Sequence, residues 1–380
     1  MFSALDFFAG SGLVRLGLEP EFQTVWANDV CPKKQAVYTA NFPDGPFHLG
    51  AIEGIHGSDL PEADLAWASF PCQDLSLAGN LTGMKTGTRS GLFWQWMRVL
   101  DELQRCGRKP PLLVAENVVG FVAASEGRHF LQAYQALRER GYRAGAVIID
   151  AQRFVPQSRP RAFLLAISGD VDVATLSQPQ PSGPFHPAPM VRAAARLNDP
   201  AWIWWSLPAP TARPPLFGDI CERAAPCDPP AKTRKLMGML SPRNESKLDA
   251  AIQAGRFFAG TAYRRTRPDR AGNPVQRLEI RFDGVAGCLR TPNGGSSRQT
   301  VILVDKGGVR SRLMTVRECA RLMGVPGAYR LPGTYNDGYR AMGDAVAAPV
   351  TRWLTQHLLA PLAFLCRSAR VNERAAENAA

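Results

Sequence analysis

The chain has 380 residues, 45% of them apolar, enough to bury one large core and a smaller second one on the usual scale of roughly 100–200 residues per domain. Lys and Arg outnumber Asp and Glu by 45 to 33, and the net charge of +12 favours a polyanionic partner, because each neutralised phosphate releases counterions. No run reaches the roughly 18 uncharged apolar residues of a membrane span, the start lacks a secretion signal's basic segment, and eight cysteines without a C-x-x-C pair or zinc spacing point to reduced thiols in a cytosol with no metal site.

Up to residue 167, apolar runs of strand length at 5–8, 24–27, 65–70, 112–115, 146–150 and 162–167 alternate with helical patterns, the signature of a doubly wound α/β sheet. The first run passes through Asp6-Phe7-Phe8-Ala9-Gly10-Ser11-Gly12 into a helical pattern, and its glycines let backbone amides approach a ligand closely. Asp29 closes the next run, where a carboxylate can accept two ribose hydroxyls. Arg15 stands where the dinucleotide fingerprint has its third glycine, so the close helix packing of that motif is not expected, and a ligand with a ribose but no pyrophosphate fits better.

Residues 64–70 read as a short buried parallel strand whose hydrogen-bond ladder Pro71 ends, leaving Cys72 at the carboxyl edge where open α/β sheets bind ligands. A lone cysteine is more often a small buried hydrophobe, and it is the company of this one that makes it a candidate nucleophile. Residues 74–89 are polar and glycine-bearing, as a mobile lid is. Helices are expected at 93–104 and 127–141, the second closed by Gly141. Glu116-Asn117-Val118 follows directly on the apolar run 112–115, at the same edge as Cys72. In Gln157-Ser158-Arg159-Pro160-Arg161 two arginines stand two apart on an expected strand, pointing one way, with forks suited to phosphate or a carbonyl oxygen.

Composition then changes: 13 of the 31 prolines lie between Pro179 and Pro230, a stretch expected to be a linker of irregular loops. Residues 232–298 are dense in Arg and Gly and read as a small, loop-rich basic domain. Arg264, Arg265, Arg267 and Arg270 cluster there beside Tyr263, and Arg298 ends a basic loop; for any one of them a contact to a polyanion and a merely solvated face are even readings. A helical pattern at 315–323 and Gly343-Asp344-Ala345-Val346 mark a return to the first domain. The expected partition is 1–180 for the first part of the core, 181–310 for the second domain with its linker, 311–366 for the return, and a frayed tail over 367–380.

Phe70-Pro71-Cys72-Gln73, Glu116-Asn117-Val118 and Gln157-x-Arg159-x-Arg161, in this order behind the glycine turn, resemble the DNA cytosine-5 methyltransferases over nearly the whole chain. The resemblance implies a Rossmann-like, doubly wound S-adenosylmethionine-dependent core, a smaller target-recognition domain, double-stranded DNA as partner, and a cytoplasmic monomer with no obligate protein partner. It places Cys72, Glu116, Arg159 and Arg161 at the catalytic centre, with Cys72 adding to carbon 6 of a flipped cytosine. It places Phe8, Gly10, Ser11, Gly12, Leu13, Asp29, Val30, Ile52, Pro71, Leu92, Ala345 and Val346 around the cofactor. Ser76, Ala78 and Arg89 of the lid, with Arg264, Arg265, Arg267 and Arg298, are implied at the DNA. Four positions depart from the family pattern: Val30 where a larger side chain usually covers the adenine, Ala51 after Gly50 where an Asp commonly binds it, Asp344 in place of Asn, and Ala345 where Ser is frequent. A relative acting on tRNA and a catalytically silent DNA-binding scaffold remain as alternatives; the basic insertion argues against the first and the intact catalytic residues against the second.

Overall fold

The computed structural model describes residues 1–71, 91–169, 171–269, 272–291 and 298–377, with side chains to 372; Cys72, Ser76, Ala78, Arg89 and Arg270 lie outside them. The described chain forms two compact units, one of residues 1–149, 160–209 and 350–380, the other of 150–159 and 210–349.

The first unit is built on a seven-stranded sheet. Along the chain come β1 (Phe2–Phe7), α1 (Leu13–Leu18), β2 (Phe22–Asp29), α2 (Pro32–Asn41), β3 (His48–Leu49), β4 (Leu65–Ala68), α3 (Leu92–Arg105), β5 (Leu112–Val118), α4 (Gly120–Ala123), α5 (Arg128–Glu139), β6 (Tyr142–Asp150) and β7 (Pro160–Ser168). Their order across the sheet is β3-β2-β1-β4-β5-β7-β6. The strands from β3 to β5 are parallel, and β4 and most of β5 are buried, as strands covered by helices on both faces must be. On α3 the buried residues Phe93, Trp96, Met97, Leu100 and Leu103 recur at helical spacing, so one stripe faces the sheet. One strand breaks the parallel pattern: β7 runs antiparallel to β5, because residues 151–159 are too few for the crossover that a parallel neighbour needs.

The proline-rich stretch is more ordered than its composition suggests. It follows β8 (Ser177–Gln178) and contains α6 (Ala188–Leu197) and β9 (Trp204–Trp205), and residues up to 209 stay with the first unit. Proline opens helices there rather than breaking them: Pro189 lies in the first turn of α6, a position that lacks an intrahelical acceptor anyway. Ile203 donates its backbone N–H to Ala144 of β6, and Gly145 allows the approach, since a Cβ there would meet the Ile203 oxygen at 1.8 Å.

In the second unit come α7 (Phe217–Ile220), α8 (Pro230–Met237), α9 (Pro242–Gln253), β10 (Phe258–Pro268), β11 (Pro274–Arg281), β12 (Thr300–Asp305), β13 (Gly308–Leu313), α10 (Val316–Leu322) and α11 (Tyr335–Asp344). The four strands make an antiparallel sheet, β11-β10-β12-β13, over a core that includes Leu240, Leu248, Ala262, Leu278, Ile280 and Ile302. Residues 311–349, expected with the first domain, belong to this unit. A fully buried ion pair joins them to it: Arg312 of β13 donates from both terminal nitrogens to Glu318 of α10, at 2.7 and 2.6 Å. Burial alone would raise the Glu318 pKa, but Arg312 and the backbone N–H groups of Thr315 and Glu222 hold it below the usual range.

The chain then re-enters the first unit through α12 (Ala348–Leu354), a π-helical turn over Thr355–Leu359, and α13 (Ala360–Glu377). The expected frayed tail is therefore helical to Glu377. The reason is ionic and aromatic anchoring: Arg367 pairs with Asp64 at 2.8 Å and lies over the Phe2 ring, and Arg370 donates to the Lys109 carbonyl.

Glu318→Ala leaves the Arg312 charge buried and unpaired, and should lower the stability of the second unit by about 3–5 kcal/mol in urea unfolding at neutral pH. Because the folded-state pKa is depressed, this stabilisation is present above the ordinary glutamate pKa and is lost as pH falls through the depressed value. The difference between wild type and variant should thus shrink towards acid pH; a constant difference would contradict the assignment.

Candidate active site

The sheet order places the topological switch point between β1 and β4, from which the chain winds outward in both directions. Ligands in open α/β sheets bind at the carboxyl ends of the strands beside that point. Register aligns those ends: Phe7 stands beside Asn28 and Ala68, and Ala68 beside Ala115. The turn after β1, Asp29 after β2, Phe70-Pro71 after β4 and Glu116 after Ala115 consequently share one edge.

The turn after β1 is held in rare backbone geometry. Phe8, Gly10 and Gly12 all have positive φ, at 58°, 57° and 84°, which for a bulky residue such as Phe8 marks local strain. Asp29 fastens the turn, accepting the Gly10 N–H at Oδ2 (3.1 Å) and the Cys31 N–H at Oδ1 (2.8 Å). Each oxygen retains a second lone pair, so the carboxylate can still accept two ligand hydroxyls. The close packing expected to be missing is supplied at Gly12, where a Cβ would meet Phe42 at 2.6 Å and Tyr38 at 2.9 Å. Arg15 replaces the third glycine without loss: it lies over the Phe42 ring and pairs with Glu19 at 2.8 Å. Ser11 and Leu13 are buried at the start of α1.

Around this turn, Val30 is 68% exposed, an apolar wall beside Asp29 that suits a flat heterocycle. Ala51 is exposed, whereas Ile52, expected at the adenine, is packed into the core. Asn28 donates to the His48 and Gly50 carbonyls and fixes that segment's path. Pro71 and Leu92 are half-buried, on either side of the undescribed segment that carries Cys72 and the lid residues.

Two residues in this unit escaped the reading of the sequence. Asp6 is fully buried, and among the described residues neither carboxyl oxygen has a hydrogen-bond partner. Burial and then the Asp29 charge push its pKa well above the usual carboxylate range. Its signal was a lone acid inside an apolar run just before the glycines. Asn117 donates to the Phe70 carbonyl at 3.3 Å and accepts the Val118 N–H, which ties β5 to the approach to Pro71-Cys72.

Glu116 is buried, and its Oε1 lies 3.3 Å from Nε of Arg161. The strand register explains the pairing: Glu116 stands opposite Phe163, so Arg161 is its diagonal neighbour on the same face of the sheet.

Arg159 behaves differently from the expectation. Strand β7 begins at Pro160, so Arg159 precedes it in the turn 150–159 and belongs to the second unit. Its guanidinium is 2% exposed and donates to the carbonyls of Leu289 (2.9 Å), Gly343 (2.8 Å) and Ala345 (2.7 Å). Among the described residues its terminal nitrogens serve these carbonyls. Gln157 acts alongside it, accepting the Leu289 N–H and donating to the Leu322 carbonyl. Asp150 shapes the turn by accepting the Arg159 N–H. Ala345 and Val346 lie in this second unit, at the clamp.

Of the arginines expected at DNA, Arg264, Arg265 and Arg267 are exposed on β10. Arg298 is engaged, donating to Asn336 at 2.5 Å and lying over the Tyr335 ring.

A family model for C-5 cytosine-specific DNA methylases matches residues 2–360. Among curated relatives, the Type II methyltransferase M.NlaX of Neisseria lactamica is 27% identical over 95% of this chain and 97% of its own length. The Type II methyltransferase M.HhaI of Haemophilus parahaemolyticus is 24% identical over 95% of each chain. The solved structure of the Dnmt2 methyltransferase of S. pombe superposes with a TM-score of 0.58 at 16% identity, covering 95% of this chain and 99% of that one, and speaks for the fold.

Arg159→Ala should destabilise the second unit by about 3 kcal/mol or more, since it strips charged donors from three carbonyls. Urea unfolding measures this, with the exposed Arg265→Ala as comparison, where a shift of about 0.5 kcal/mol or less is expected. Equal effects of the two changes would show that the clamp has no special weight.

Proposed function

The chain belongs to the C-5 cytosine-specific DNA methylase family and methylates cytosine at carbon 5 in DNA, and on that premise we propose that Cys72 is the nucleophile and Glu116 the proton-sharing acid of the transfer. The observation that carries this reading is the common edge of β1, β4 and β5, where Glu116 is buried beside Arg161 and the chain leaves β4 towards Cys72.

Carbon 5 of cytosine is too weak a nucleophile to take a methyl group unaided. The Cys72 thiolate forms a bond to carbon 6, and the displaced π electrons make carbon 5 enamine-like. Phe8, Gly10, Ser11, Gly12, Leu13 and Asp29, with Val30 against the adenine, would hold S-adenosylmethionine, which when bound would supply an electrophilic methyl group and leave as a neutral thioether. Transfer of the carbon 5 proton to a water base then restores the ring double bond and expels the Cys72 thiolate. Glu116, sharing a proton with ring N3 and accepting from the exocyclic amine, neutralises the charge that develops on the ring as Cys72 adds. Arg161 keeps the Glu116 carboxyl in place and offers a guanidinium to the cytosine carbonyl. Arg159 is a positioning residue: it acts through the backbone it holds.

The second unit carries the exposed arginines and reads the DNA, while Ser76, Ala78 and Arg89 of the lid contact the flipped nucleotide's surroundings. On this reading the enzyme works as a monomer in the cytoplasm. None of the described helices is long and apolar enough to cross a membrane.

Wild-type protein should form a denaturation-resistant adduct with duplex DNA carrying 5-fluorocytosine, since fluorine cannot leave in the elimination step, and Cys72→Ser should form none and methylate nothing while still binding DNA. Glu116→Gln should slow single-turnover methylation by about two to four orders of magnitude with little change in binding. Methylation by the serine variant, or a near-normal rate for the glutamine variant, would remove that residue from the chemistry.

A further inference from the structure

Strand β10 is longer than the sheet that contains it. Its pairing with β12 covers only Phe258 to Ala262, whereas its pairing with β11 continues to the Pro268–Pro274 rung. At the Arg264–Leu278 rung β11 is still held on its other side, where Leu278 bridges Leu240, so from Arg265 outward the two strands form a free-standing ribbon roughly 10 Å long at about 3.4 Å per residue. A two-stranded ribbon is one of the two elements that the major groove of B-form DNA admits.

The two faces of this ribbon differ. Alternation places the rungs Arg265–Arg277 and Arg267–Val275 on one face, and Thr266–Gln276 and Pro268–Pro274 on the other. Arg265 and Arg277 are thus directly opposed, with Cβ atoms about 5 Å apart, a like-charge rung that costs stability unless an anion lies against it. Neither they nor Arg267 form an ion pair or a side-chain hydrogen bond among the described residues. The nearby acids are occupied: Asp283 pairs with Arg281 at 2.7 Å, and Glu279 accepts from Asn244 at 3.2 Å. The prolines of the last rung remove two backbone donors from the ribbon's end, which discourages another chain from adding a strand there.

We propose that the β10–β11 ribbon enters the major groove of duplex DNA with its Arg265–Arg277 face towards the bases, and that Arg277 is a specificity-determining residue that reads a guanine edge. The inference rests on the reading that the second unit engages DNA. A guanidinium fork matches guanine O6 and N7 in a bidentate contact, and two forks on one rung span adjacent base pairs. Arg267 stands nearer the tip on the same face, suited to the flanking phosphates.

The test uses the full-length enzyme and a duplex containing the sequence it methylates, identified by bisulfite sequencing of DNA from expressing cells, alongside a scrambled duplex. Arg277→Ala should weaken binding to the methylated sequence by about tenfold to a hundredfold and leave the scrambled duplex nearly unchanged. Arg277→Lys, which keeps the charge and loses the fork, should show the same selective loss. Replacing single guanines by 7-deazaguanine, which removes only the major-groove N7, should weaken wild type at one position and have no further effect there in Arg277→Ala. Arg310→Ala, on the opposite edge strand of the sheet, should bind both duplexes as wild type does. Equal losses on both duplexes, full binding by the lysine variant, or indifference to 7-deazaguanine at every position would each overturn the proposal. Methylation of the same duplex by wild type keeps the two readings apart: its absence would count against the DNA reading, and its presence with an unaffected Arg277→Ala against the ribbon alone.

Discussion

A buried guanidinium must have acceptors, and a buried carbonyl must have donors; in the second unit these two requirements meet at Arg159. The side chain serves backbone at Leu289, Gly343 and Ala345, 130 to 186 residues further along the chain. Gln157, two residues earlier, serves Leu289 and Leu322 with both ends of its amide. Short-range structure cannot join segments so far apart in sequence, and an apolar contact would leave their carbonyls unsatisfied. A planar fork with fixed donor directions does both, which is why lysine would be a poor substitute. The turn that carries the clamp runs directly into β7, so the residue that organises one unit and the residue beside Glu116 are separated only by Pro160.

Chemistry in the first unit depends on a constraint of another kind, the register of parallel strands. Because Phe7, Ala68 and Ala115 are aligned, every residue just beyond them emerges at one edge. Glycines and a strained Phe8 shape the space after β1, Asp29 fastens it, and Asn117 ties β5 to the path towards Cys72. Asp6, just before the turn, is fully buried, and burial together with the Asp29 charge disfavours its ionised form.

Charge is managed differently in the two settings. In the interior Arg312 is satisfied by Glu318, Arg161 by Glu116 and Arg159 by backbone carbonyls, and these polar contacts define geometry. On the ribbon the arginines stand opposite one another, an arrangement that makes physical sense when the counter-charge belongs to a partner.

The sequence by itself determined the alternation of the α/β core, the glycine turn with Asp29, the edge position of Glu116, and a basic second unit. These are properties of local period and residue chemistry, readable without knowing what lies nearby. Tertiary structure decided the antiparallel entry of β7, the inward turn of Arg159, the ordered path through the prolines and the helical tail held by Asp64. It also decided that Arg265 faces Arg277 and that Arg298 is tied to Asn336. Each of these outcomes is a choice of partner, and a donor's acceptor is set by segments brought together from distant parts of the chain, which no local pattern encodes.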